Sequence, residues 1–325
     1  MRIVASVNDP PVWILPTSEV QRIRAALPGD EVIEARTPED RARAFPDADV
    51  LLVTRMSSAE ATAATKLRWI QSTAVGIAPI LVPEIVKSPI VVTNVRGIHS
   101  PQIAEHAIAL VLAVRRRLHL ARDRQATRSW AQVDLQTAQV PLLADSTLLV
   151  IGLGAIGSHV AALGAGLGMR VIGLRRVASK PAPAGVTQVF GPEQLHEALA
   201  QADAVVLATP RTENTRAMIG DAEFAVMKRS AVLVNIARGR LIDDRALVVA
   251  LEQGMIAGAG LDAFIREPLP EEDPLWRLPN VLMTPHTAAF GDDYWQPAVD
   301  LFLDNVQRFK TGQPLLNVVD KAQGY

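Results

Sequence analysis

Along the first hundred residues, short apolar runs alternate with segments of helical period: RIVAS, TSEVQRIRAAL, DVLLVT, a polar helical stretch, WIQST and IVVTN. Strands buried on both faces read as near-continuous Val, Ile and Leu, whereas a surface helix spaces its apolar residues by three and four. Alternation of the two predicts a parallel sheet covered by helices. From Ser100 to about Asp123 the pattern predicts a single long helix bridging two lobes, with Ser100 as N-cap and Pro101 at the first helical position.

Beyond a polar, irregular stretch from Arg128 to Ser146, a second series begins at Thr147 with LLVIG and runs through AVVLAT, AVLVNI and IAGAGLD. After VLMTPH one more helix is expected, from about Asp292 to Lys310, and then a tail without strand signal that returns to the first lobe. The stretch Thr147–Leu174 is interrupted only by Ser158, His159 and Arg170, so its apolarity is nearly that of a membrane span. Its glycines and its strand, turn, helix, strand rhythm suit a buried βαβ unit better. The prediction is an α/β fold of two doubly wound parallel-sheet domains.

Composition narrows the function. With 33 basic and 34 acidic residues among 325, and no basic run, there is no electrostatic footprint for nucleic acid or an anionic membrane. The absence of cysteine excludes disulfides, thiolate metal sites and cysteine nucleophiles, and no metal is expected. The N-terminus MRIVASVNDPPVW lacks the apolar core and cleavage site of a secretory signal, which makes the cytoplasm the expected location.

The strand ending at Ile151 runs into GLGAIG, comprising Gly152, Gly154, Ala155, Ile156 and Gly157, which opens a helix. In that context the glycines permit a tight turn, a close approach of backbone to a pyrophosphate and a close helix–strand contact, while the helix N-terminus faces the anion. A glycine-rich packing turn without ligand is the alternative. At the end of the next strand, RVIGLRR, a site for NAD usually carries an acid that binds the ribose 2′-hydroxyl, and here Arg175 and Arg176 stand in its place. Guanidinium groups would clamp a 2′-phosphate, so NADPH is expected over NADH, unless the two arginines are simply solvated.

Three later segments follow strands of the second series: VNIARGRLID around Arg238, GLDAFIREPLP around Glu267 and MTPHTA around His286. Loops at strand carboxyl ends face the ligand crevice of such sheets. Reduction of a 2-keto acid needs a fixed cation, a proton donor and a hydride source. Arg238 can be the cation, His286 the donor and Glu267 the carboxylate that orients the imidazole. Singly, each has a plainer reading: a solvated arginine, a structural histidine beside proline, and an exposed acid before Pro268.

The ordered set GLGAIG, TPRTENT, VNIARGRLID, AGAGLDAFIREPLP and PNVLMTPHTA, with STAVG and TNVRGIHSPQIAEHAIALVLA upstream, resembles the D-2-hydroxyacid dehydrogenase family over most of the chain. The resemblance implies a Rossmann dinucleotide-binding domain, residues 101–289, inserted into a flavodoxin-like substrate domain, residues 1–100 and 290–325. It implies catalytic roles for Arg238, Glu267 and His286, and a substrate carboxylate held by backbone amides around Val75 and Gly76. It also implies a cofactor-lining turn containing Thr209, Pro210 and Thr215, a nicotinamide wall of Ile236 and Ala237, and Asp262 near the carboxamide, with a strand-end cap as the plainer reading of Asp262. The NADPH-using glyoxylate and hydroxypyruvate reductases are the branch it is most similar to, although STAVGIAPI lacks the acidic or amide residue that many relatives carry after the Val-Gly step. A homodimer through the cofactor lobe is implied as well, with Trp130 on the polar arm reaching toward the neighbouring subunit. Two other readings remain: a dinucleotide-sensing corepressor-like scaffold, and NAD-linked 2-hydroxyacid oxidation in the reverse direction.

Overall fold

The computed structural model describes residues 1–9, 13–136, 142–291 and 294–324. The chain divides into two compact units, Met1–His99 with Gly291–Tyr325, and Ser100–Phe290.

In the first unit the apolar runs form strands β1 (Arg2–Ser6), β2 (Glu31–Glu34), β3 (Val50–Val53), β4 (Trp69–Ser72) and β5 (Val91–Thr93). They pair in parallel in the order β2-β1-β3-β4-β5, which is the flavodoxin-like arrangement. The edge strand β2 is absent from the sequence reading because EVIE is short and flanked by carboxylates. Central strands are buried on both faces. One face packs Ile3, Val50 and Trp69 against Val20 and Ile23 of the helix Thr17–Ala26 and Val299, Phe302 and Val306 of the helix Trp295–Thr311. Trp69 stacks on Phe302 with ring centroids 5.5 Å apart. The opposite face is closed by Phe45, Met56, Ile77, Ile80 and Ile85.

The last helix starts at Trp295, and Asp292, where it was expected to start, lies outside the described residues. Gly312, with a left-handed φ of 69°, ends it. The tail does carry strand character, contrary to expectation: Val318 bridges Thr93 in antiparallel fashion and the Val319 amide donates to the Val92 carbonyl at 2.9 Å. The Lys321 ammonium then donates to the carbonyls of Ile85, Ser88 and Ile90 at 3.0, 2.5 and 2.9 Å.

Among the described residues the second unit holds seven parallel strands: β6 (Thr147–Ile151), β7 (Arg170–Leu174), β8 (Val186–Phe190), β9 (Ala204–Leu207), β10 (Val232–Asn235), β11 (Gly258–Leu261) and β12 (Val281–Met283). Their order, β8-β7-β6-β9-β10-β11-β12, is that of the doubly wound dinucleotide-binding sheet with one strand added. Thr147–Leu174 is the βαβ unit β6, helix Ala155–Gly166, β7, and no helix among the described residues is long and apolar enough to cross a membrane.

The long helix predicted from Ser100 to about Asp123 is two helices, Ser100–Arg115 and Leu118–Ala126, broken where Arg117 takes a left-handed φ of 56°. Arg115, the first of three successive arginines, is drawn inward, donating to the Ser146 hydroxyl at 2.7 Å and the Asp203 carbonyl at 3.2 Å. Ser100 is already helical and its buried hydroxyl makes no hydrogen bond, so it does not cap with its side chain as expected.

Candidate active site

The loop after β6 begins with Gly152 at φ 101°, where a Cβ would stand 2.6 Å from the Ala208 carbonyl oxygen. A Cβ on Gly157 would lie 1.8 Å from the Gly152 carbonyl oxygen, so the turn closes only on glycine. Gly154 is the N-cap of the helix Ala155–Gly166 and nothing lies within 4 Å of where its Cβ would be. The first backbone bond of this helix is the Ser158 amide to the Gly154 carbonyl at 2.9 Å, which leaves the amides of Ala155, Ile156 and Gly157 directed at the open side. Open space against unpaired amides is the cradle that a pyrophosphate requires.

Arg175 follows β7 directly. Its guanidinium closes the next loop by donating to the carbonyls of Lys180 and Pro181, the latter at 3.2 Å, while Arg176 is exposed. At the end of β9, Thr209 is half-buried and Pro210 exposed. The Thr215 hydroxyl donates to the Pro210 carbonyl at 2.8 Å and accepts the Thr212 amide at 2.7 Å, so it staples this turn.

Past β10 the buried Asn235 grips the following loop at both ends. Its Oδ1 accepts the Ala237 amide and its Nδ2 donates to the Arg238 carbonyl, each at 3.0 Å, which fixes Ile236 and Ala237 as buried wall. Gly239 lets this loop press backbone to backbone on the next, since a Cβ there would meet the Phe264 carbonyl carbon at 2.1 Å. That contact brings Arg238 to Glu267. One guanidinium nitrogen of Arg238 donates to the Ala237 carbonyl at 2.6 Å, and among the described residues its other donors make no hydrogen bond. Burial lowers the pKa of Arg238 and the Glu267 charge opposes this.

Glu267 Oε2 lies 2.7 Å from His286 Nδ1, and Oε1 accepts the Phe264 amide at 2.9 Å. Burial alone would raise this carboxyl, but the bonds from His286 and Phe264 and the charges of His286 and Arg238 hold it below its ordinary value. Glu267 therefore stays a carboxylate through the neutral range. The three residues that the sequence singled out are thus brought together at the carboxyl end of one sheet, in the unit that carries the glycine loop.

His286 has a backbone φ of 55°, a left-handed conformation that costs a non-glycine residue about 1–2 kcal/mol and needs outside support. Asp262, fully buried at the end of β11, supplies it. Its Oδ1 accepts the Thr284 hydroxyl at 2.6 Å and the Thr287 amide at 2.8 Å, and its Oδ2 accepts the Ala288 amide at 3.0 Å. The sequence offered Asp262 as a cofactor contact or a strand-end cap, and it missed His106, whose Nε2 sits 2.9 Å from the Thr284 hydroxyl. His106 lies 178 positions from Thr284, a separation that no local pattern reveals.

In the first unit, Val75 and Gly76 form the loop after β4. The Val75 carbonyl accepts the Asn94 side-chain amide at 3.0 Å, and the amides of Val75 and Gly76 donate to nothing among the described residues. Two adjacent unpaired donors suit a carboxylate. No cluster of three potential metal ligands occurs among the described residues.

Beside the Arg238 loop lies a small cavity lined by Gly239, Asp244, Leu261, Phe264, Arg266 and Asp273, among others. Burial, then the charges of Asp273 and Asp243, push the Asp244 carboxyl up to about 6, against the opposing charge of Arg240. A raised carboxyl pKa means the folded state favours the protonated form, so the fold loses stability as pH rises from the ordinary aspartate value through 6. Asp244→Asn is expected to raise the thermal midpoint more at pH 8 than at pH 5. Because much of this side chain reaches solvent, the gain at pH 8 should be about 1 kcal/mol. Calorimetry showing an equal or larger gain at pH 5 would contradict the assignment.

Residues 108–288 match the D-isomer specific 2-hydroxyacid dehydrogenase NAD-binding domain. Over 282 residues, 85% of this chain and 83% of the relative, the sequence is 36% identical to a glyoxylate reductase of Korarchaeum cryptofilum. Two solved structures superpose along the chain. The D-isomer specific 2-hydroxyacid dehydrogenase of Xanthobacter autotrophicus, in complex with NADPH and MES, has a TM-score of 0.85 at 28% identity, covering 100% of this chain and 99% of that one. The NADPH-dependent glyoxylate/hydroxypyruvate reductase of Sinorhizobium meliloti, in complex with NADP and sulfate, has a TM-score of 0.84 at 28% identity with the same coverage.

Proposed function

The chain belongs to the D-isomer specific 2-hydroxyacid dehydrogenase family, and from that premise we propose that it reduces small 2-keto acids of the glyoxylate and hydroxypyruvate kind to D-2-hydroxy acids with NADPH. It is an NAD(P)-dependent oxidoreductase. The observation that carries the proposal is the His286–Glu267 pair, 2.7 Å apart, beside an arginine with unspent donors.

The chemistry follows from those positions. Glu267 engages Nδ1 of His286, so the reactive proton belongs to Nε2. His286 donates it to the carbonyl oxygen of the substrate and is left with the Nδ1 proton, which Glu267 holds. Arg238 offers planar donors to the polarised carbonyl and the carboxylate, and stabilises the negative charge that grows on oxygen. The amides of Val75 and Gly76 take the carboxylate role. The nicotinamide, when bound, supplies the hydride, and Ile236 and Ala237 form its wall with Asp262 close by. The glycine loop and the amides of Ala155, Ile156 and Gly157 take the pyrophosphate, and Thr209, Pro210 and Thr215 shape the turn beside it.

Arg175 and Arg176 carry the preference for NADPH in this reading. Charge-assisted bonds to a 2′-phosphate contribute roughly 1.5–3 kcal/mol each where well formed, and exposure together with the tie of Arg175 to its own loop reduces that. A total of about 2 kcal/mol still corresponds to more than tenfold in affinity. The test is a panel of glyoxylate, hydroxypyruvate, pyruvate and phenylpyruvate, each with NADPH and NADH, on the wild type and on a double variant, Arg175→Asp with Arg176→Ala. The wild type should favour NADPH and the two smallest functionalised acids, and the double variant should lose most of its efficiency with NADPH. Equal use of NADH by the wild type would overturn the cofactor assignment, and turnover of none of the acids would overturn the reaction. A homodimer accompanies this reading, supported by large apolar side chains left on the surface of the second unit: Leu118 and Val133, and above all Trp130, which is 90% exposed.

A further inference from the structure

Thr284 has one hydroxyl proton and two near neighbours. The Asp262 carboxylate, 2.6 Å away, can only accept, so the proton points to it. The hydroxyl oxygen is then left to accept from His106 Nε2 at 2.9 Å, which places a proton on that nitrogen. The chain of bonds has a fixed direction, His106 to Thr284 to Asp262. It starts on the long helix Ser100–Arg115, a rigid element, and ends in the carboxylate that also takes the amides of Thr287 and Ala288. His286 sits between these tied points with its left-handed backbone, next to a proline, its own backbone amide closing a short turn onto the Thr284 carbonyl at 2.9 Å.

We propose that His106 is a positioning residue which, through Thr284 and Asp262, holds the His286 loop in the strained geometry that aims the proton donor. His106 touches neither Glu267 nor His286 among the described contacts, so its effect passes through the loop. The inference rests on His286 being the proton donor. The loop is over-determined: Asp262 ties both of its ends and takes the Thr284 hydroxyl proton, and His106 occupies the remaining acceptor side of that hydroxyl.

Three variants test it: His106→Leu, which removes the donor; His106→Gln, whose side-chain amide carries a donor at comparable reach; and Thr284→Val, which removes the middle link. Small displacements of a catalytic group cost on the order of tenfold or more in rate. His106→Leu is expected to lower kcat about tenfold with KM for the keto acid nearly unchanged, and His106→Gln to recover most of it. Thr284→Val should cost at least as much, and adding His106→Leu to it should cost nothing further, because both act on one chain of bonds. Amide hydrogen exchange at Thr287 and Ala288 supplies a readout independent of turnover: faster in His106→Leu, restored in His106→Gln, with the thermal midpoint little moved. Additive losses in the double variant, exchange unchanged by His106→Leu, or kcat and thermal midpoint falling together without rescue by glutamine would overturn the proposal. Should the wild type reduce no keto acid, the reaction assigned above fails, while the exchange measurement still decides whether His106 holds the loop.

Discussion

His286→Ala should bind NADPH as the wild type does and lose about 10²–10⁴-fold in the rate of reduction, the span that general acid catalysis contributes. The side chain projects from a loop whose backbone ties run through Thr284, Thr287 and Ala288, not through the imidazole, so its removal leaves the loop and the glycine cradle in place. Alanine at a left-handed φ of 55° keeps the backbone cost without adding to it. The removed partner leaves Glu267 with the Phe264 amide and the charge of Arg238, and a half-exposed carboxylate so placed is tolerated. Stopped-flow hydride transfer together with fluorescence titration of NADPH separates the two quantities. Turnover within a few fold of wild type would take His286 out of the mechanism, and lost cofactor binding would show that its role lies in assembling the site.

Arg238→Lys is the second large effect, with kcat/KM for the keto acid expected to fall about 10²–10³-fold. The fold around residue 238 is set by Asn235 and Gly239 through backbone contacts, so the position survives the exchange. What is lost is the fork. Arg238 spends one nitrogen on the Ala237 carbonyl and keeps the rest for the ligand, whereas an ammonium at that depth would turn to the same carbonyl and present a point charge with no planar edge. Burial, which already lowers the guanidinium pKa, would press harder on an amine, whose ordinary value is lower. Steady-state kinetics with glyoxylate and hydroxypyruvate provide the check, and a variant within threefold of wild type would show that charge alone is used.

Much of this architecture is legible in the sequence because burial on both faces writes itself as uninterrupted apolar runs. Central strands such as VLLV, TLLVI and AVVL are such runs. The edge strands Glu31–Glu34 and Val186–Phe190 are not, since each has one partner and a polar side, and EVIE and VTQVF look like ordinary connecting chain. The break at Arg117 was hidden for a different reason: helical period continues through it, and the left-handed backbone of Arg117 has no signal in the pattern of apolar residues. The candidate catalytic residues were visible because their chemistry is rare in combination. The residues that hold them, Asn235, Asp262, Thr284 and His106, act through distant partners, and distance in sequence conceals them.

The discontinuity of the first unit bears on the order in which the chain can fold during synthesis. Residues 1–99 precede the inserted unit, and one face of their sheet, already partly covered by the helix Thr17–Ala26, is completed only when the helix Trp295–Thr311 brings Phe302 to Trp69 and Asn305 to Gln71, at 3.2 Å. The inserted unit, residues 100–290, is continuous and has its described strands available before that. The earlier-made part of this unit therefore completes the face around Trp69 only after the whole inserted unit has been made, because the helix that closes it follows that unit in the chain.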